Sequence, residues 1–104
     1  MREQQNYNVD LGGIRTRRDL HRRLKEQLPL PEWYGGNLDA LYDVLTDPVQ
    51  GRLGEVRFFR CGDAQEALKG YFRAFRRVCR AAEEENPSLR LIFVEEETLH
   101  GRSD

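Results

Sequence analysis

Tyr7, Val9 and Leu11 alternate with Asn8 and Asp10, the period of a half-buried strand, and Gly12-Gly13 closes it. Leu20, Leu24 and Leu28 then recur at the helical interval behind a Thr16/Asp19 capping box. This predicts a first helix over about 17–28 that stops near Pro29. Pro29, Pro31 and Gly35-Gly36 mark a loop, after which Asn37 is a good N-cap. Leu38, Leu41, Tyr42 and Leu45 share one side of the second helix, and Asp47-Pro48 ends it. Val56, Phe58 and Phe59, framed by Gly54 and Gly62, predict a second strand. A second capping pattern, Asp63 with Glu66, opens one long helix. Its apolar stripe runs through Leu68, Tyr71, Phe72, Phe75, Val78, Cys79 and Ala82 until Asn86-Pro87. Residues 89–94, broken only by Arg90, read as a strand buried on both faces.

The order β-α-α-β-α-β predicts an α/β protein, a small three-stranded parallel sheet packed with helices through right-handed crossovers. At 104 residues one domain over 1–104 is expected, with the polar residues 95–104 a frayed tail. The longest apolar run is Leu91-Ile92-Phe93-Val94 and the N-terminus has no apolar stretch, so neither a spanning helix nor a signal peptide is expected. The chain reads as soluble and cytoplasmic. Cys61 and Cys79 are too few for a disulfide scaffold or a metal framework and read as small buried thiols.

The net charge of −1 conceals an uneven distribution. Residues 1–30 carry +3, 31–51 carry −4 with no cation, 52–80 carry +5 and 81–104 carry −5. The acids of the second block, Glu32, Asp39, Asp43 and Asp47, therefore have no basic neighbour in sequence. Asp39 and Asp43 stand at i, i+4, one turn apart on one helix face, where like charges repel. Asp39 gains from the helix dipole and Asp43 gains little, so local stability does not ask for the pair. Trp33, Tyr34 and Tyr42 add aromatic surface beside them. Acids with rigid aromatic anchors suit one half of an interface whose partner is basic. The plainer reading is an amphipathic helix that shows acids to water.

Paired carboxylates also suit glycoside hydrolysis or a divalent metal, but both need further ligands or a histidine. His21 falls on the first helix, packing at its surface or bonding locally, and His100 falls in the tail. No enzyme activity, metal or cofactor is expected. Arg73, Arg76, Arg77 and Arg80 line the long helix, but no nucleic-acid motif accompanies them and acid-rich blocks flank the region. They read as a solvated face, with no nucleic-acid partner expected; nucleic-acid binding through Arg73 to Arg80 stays as a third reading, which predicts loss of binding on Arg→Glu change and none on Asp43→Ala.

Residues 28–47, LPLPEWYGGNLDALYDVLTD, carry Pro31-Glu32, Trp33-Tyr34, Gly35, Asn37-Leu38-Asp39-Ala40-Leu41, Tyr42, Asp43, Leu45 and Thr46 without a gap. In that order they resemble the barstar family of intracellular bacterial ribonuclease inhibitors. Ile14-Arg15 and Asp19-Leu20-His21 are similar at the same offset. The resemblance implies a barstar-like fold and a cytoplasmic protein that blocks the active site of a small secreted guanyl-type ribonuclease. A monomer in a 1:1 complex is expected, since nothing outside residues 31–47 reads as an exposed apolar patch, with no membrane and no nucleic acid involved. Asp43 would occupy a phosphate position of the enzyme and Asp39 would pair with its active-site cations. Trp33 stands where the family has a tyrosine that packs over the catalytic histidine. Tyr34, Gly35, Asn37, Tyr42 and Thr46 would complete the contact surface. A glutamate of the family's long helix that also touches the enzyme has Arg77 at its nearest aligned position, Gly36 replaces an acid, and an insertion around 83–87 lengthens the last connection. An alternative keeps the fold and pairs it with a different basic-cleft toxin.

Overall fold

The computed structural model describes residues 6–47 and 53–94; Pro48 and the tail expected at 95–104 lie outside them. The order is β1 (Asn6–Asp10), α1 (Arg17–Gln27), α2 (Leu38–Thr46), β2 (Glu55–Phe59), α3 (Gly62–Leu68), α4 (Gly70–Glu85) and β3 (Arg90–Phe93). The three strands form one parallel sheet in the order β1-β2-β3. This is the α/β arrangement expected from the alternation of strands and helices.

The helices of both crossovers cover one side of the sheet, as the burial pattern shows. Val9, Phe58 and Phe93 lie in register, as do Tyr7, Val56 and Leu91, and these residues face the helices. The alternate row holds Asn8 and Arg57, both exposed, and the half-buried Ile92. β3 is therefore not buried on both faces as its composition suggested. It is an edge strand with one covered face: Leu91 is buried, Arg90 exposed, and Ile92 and Phe93 are intermediate. Its outward backbone is met by α4, where Glu83 accepts from Leu91 N at 2.6 Å and Arg80 donates to Leu91 O at 3.1 Å. Side chains thus occupy an edge that would otherwise template another strand.

α1 starts where the capping box places it. Thr16 Oγ1 accepts from Asp19 N at 3.0 Å, and Asp19 accepts in return from Thr16 N at 3.3 Å. The long helix does not start where its own capping pattern suggested. Cys61 occupies the N-cap without a side-chain cap, because the Asp63 carboxylate is drawn to Gly13 N at 2.7 Å across the top of the sheet. Nor is that helix continuous. Lys69 takes φ 48° and ψ −111°, dividing it into α3 and α4. The residues assigned to an insertion at 83–87 extend α4 by its last turn, to Glu85.

The core gathers Val9, Leu20, Leu24, Leu41, Val56 and Leu91 around Phe72 and Phe75. Phe58 meets Phe75 edge to face with centroids 5.5 Å apart and stacks on Phe93 at 4.8 Å. Both cysteines are buried and free, and burial pushes the Cys79 thiol far above its ordinary range, so it packs and does not react.

Candidate functional site

Residues 29–37 carry the chain from α1 to α2 through turns that leave some side chains outward and hold others in. Tyr34 N donates to Pro31 O at 3.0 Å, and Gly36 takes φ +76°, a left-handed conformation that favours glycine. Asn37 then caps α2, its side-chain oxygen accepting from Ala40 N at 2.7 Å. Leu41, Val44 and Leu45 turn into the core, which orients the opposite face. At its far end Asn86 Nδ2 donates to Leu45 O at 3.1 Å, so α4 holds a carbonyl of the last turn of α2.

The outward face carries the acids. Asp39 and Asp43 are exposed, with Cβ atoms about 6 Å apart by helix geometry. Neither forms an ion pair with any described residue. Trp33, 54 % exposed, is the large hydrophobic side chain left outside among the described residues. Gly35 and Asn37 are exposed, while Tyr42 and Thr46 are half-buried. Thr46 Oγ1 already donates to Tyr42 O at 2.8 Å, leaving its oxygen lone pairs for a partner.

Tyr34 departs from the expected aromatic surface. It is 5 % exposed, and its hydroxyl is turned inward onto His21 Nδ1. His21 is itself 4 % exposed, and its Nε2 meets the Tyr71 hydroxyl at 2.7 Å. The histidine therefore bonds neither locally nor at the helix surface. It joins α1, the loop and α4 across 13 and 50 residues of sequence. A neutral ring donates to one tyrosine and accepts from the other. Burial lowers the His21 pKa, favouring that neutral form, and raises those of Tyr34 and Tyr71. Arg17 lies 4.4 Å over the Tyr71 ring and covers the outer side of the group. Sequence reasoning missed this support. A histidine on the helix's own apolar side, next to Leu20 and one turn before Leu24, was the available signal.

The site is thus a capped, core-anchored acidic helix preceded by a loop that exposes one tryptophan. No group of three or more potential metal-ligating side chains occurs among the described residues, and no described helix is long and apolar enough to cross a membrane. Exposed carboxylates beside an aromatic give this face the chemistry of a surface complementary to cations. Compared with known families, the chain matches Barstar (barnase inhibitor) over residues 4–95. It belongs to the barstar family, whose members are inhibitors and not enzymes.

Proposed function

We propose that this protein inhibits a small secreted guanyl-type bacterial ribonuclease, binding it one to one as a cytoplasmic monomer before the enzyme is exported. A ribonuclease holds its substrate's phosphates with Arg, Lys and His, and carboxylates can answer those cations without offering a bond to cleave. Asp43 takes the place of a phosphate, Asp39 pairs with the neighbouring cations, and Trp33 packs over the enzyme's catalytic site. Gly35, Asn37, Tyr42 and Thr46 fill in the contact, while Tyr34 acts from beneath by holding the loop. Because the helix presents both acids before binding, little ordering entropy is lost on contact.

The observation that carries this reading is the exposed, unpaired Asp39/Asp43 couple on a helix capped at Asn37. The test titrates the protein and its Asp43→Ala variant into a fluorogenic RNA-cleavage assay with a panel of small bacterial ribonucleases. Stoichiometric inhibition is expected from the natural chain. Loss of about 2 kcal/mol or more, roughly thirtyfold, is expected from the variant. Inhibition unchanged by Asp43→Ala and by Asp39→Ala contradicts the mechanism, and inhibition of none of the panel points to a different basic-cleft toxin.

A further inference from the structure

The same α4 that braces the acidic helix carries an opposite charge on its far side. Lys69, Arg73, Arg76, Arg77 and Arg80 line an open groove of about 620 Å³ together with Gln65 and Phe72, and no carboxylate lines it. Arg80 is anchored by Glu83 at 2.8 Å, and Arg76 and Arg80 lie 4.8 and 5.7 Å over the Phe93 ring. Lys69, Arg73 and Arg77 are exposed and form no ion pair with any described residue. Sequence alone favours a solvated face over a nucleic-acid site for these cations; the structure adds an open groove whose lining holds no acid.

We propose that this groove binds the sugar–phosphate backbone of single-stranded RNA without regard to base sequence. Guanidinium forks match phosphate oxygens, and several on one stripe track a strand. A protein partner would need an apolar anchor at the centre of its contact. The groove offers none, because Phe72 is buried and Phe93 lies beneath Arg76 and Arg80. For the same reason bases find no ring to stack on, so binding is weak and insensitive to sequence.

The net charge of −1 does not forbid this. At about 100° per residue the arginine stripe lies roughly opposite Tyr71 and Val78, and Tyr71 faces the loop leading to α2. A helix with side chains is about 10–12 Å across, more than the Debye length of about 8 Å at physiological salt. The acids of α2 are screened from the groove, and the two surfaces act separately.

The test follows fluorescence anisotropy of a labelled oligouridylate of about ten nucleotides with the full chain. A Kd of about 10–100 µM is expected, in the range of non-specific binding at physiological salt. Its logarithmic salt slope should be about −1.4 to −2.8, as for two to four phosphates on a single strand. Arg73→Glu with Arg77→Glu should weaken binding at least about tenfold, while Arg15→Glu with Arg57→Glu, the same change in charge elsewhere, should leave it within about twofold. Circular dichroism checks that both variants keep the fold. Equal losses in the two variants would show diffuse attraction and overturn the site. Binding of polyglutamate but not the oligonucleotide would make the groove a seat for an acidic protein, and binding of neither would return it to a solvated face; both overturn the proposal.

Discussion

α2 and α4 pack side by side, and each is held by a buried face that leaves its exposed face free to differ. α4 buries Phe72, Phe75, Cys79 and Ala82 and shows arginines; α2 buries Leu41, Val44 and Leu45 and shows aspartates. On α4 part of the charge is structural, since Arg80 holds Glu83 and the Leu91 carbonyl. On α2 the outward charge holds nothing: Asp39 and Asp43 repel one another and bond to no described residue. The lesson is that a nine-residue helix can carry an unfavourable surface when its cap, its buried face and a neighbour's Asn86 fix it independently.

The largest effect should come from the core behind α4. Phe75→Ala empties the aromatic cluster between α4 and the sheet and should lower stability by about 3–5 kcal/mol in equilibrium denaturation. Next is the His21 support. The folded pKa of His21 lies below its ordinary 6.5, so below about pH 6.5 the unfolded chain takes up a proton that the folded chain resists. Stability contributed by the neutral ring is full above that pH and falls as the solution is acidified, by at most about 1.4 kcal/mol per pH unit. Denaturant midpoints between pH 7 and 5 should show this slope, and His21→Gln should flatten it. Asp10, held at about 2 by Arg60 and the Gly12 amide, contributes above about pH 4 and is lost only below it, which separates the two.

Smaller effects sharpen the contrast at the helix ends. Asn37→Ala should cost about 1 kcal/mol and loosen the acidic helix first, visible as faster amide exchange at Leu38, Asp39 and Ala40. Lys69→Gly should raise stability by about 1 kcal/mol, because φ 48° with ψ −111° strains a residue with a side chain. Smallest of all, Asp43→Asn should raise stability by about 0.2–0.5 kcal/mol as the like-charge pair is broken.

Most of the fold was legible because its signals are local. Thr16 and Asn37 cap the helices they precede, and the period of Tyr7, Val9 and Leu11 marks β1. What escaped depends on distant partners. The Asp63 pattern reads as a cap until Gly13, 50 residues away, takes its carboxylate. Lys69 is a good helix former, so its left-handed break carries no signal in composition. The apolar run in β3 suggested two buried faces, while only one face of the sheet is covered, Asn8 and Arg57 lying exposed on the other. At the site, exposed Asp39, Asp43 and Trp33 could be read from charge and pattern. The inward turn of Tyr34 could not, since it depends on where α1 delivers His21.

The most direct test sets the two faces against each other in one assay. Asp43→Asn on α2 and Arg73→Glu on α4 are titrated, beside the natural chain, against a small guanyl-type ribonuclease that the natural chain inhibits. The account predicts that Asp43→Asn weakens inhibition by roughly thirtyfold or more without loss of stability, while Arg73→Glu changes it by less than about threefold. Equal weakening by both, or full inhibition by Asp43→Asn, would contradict the claim that the acidic helix carries the function.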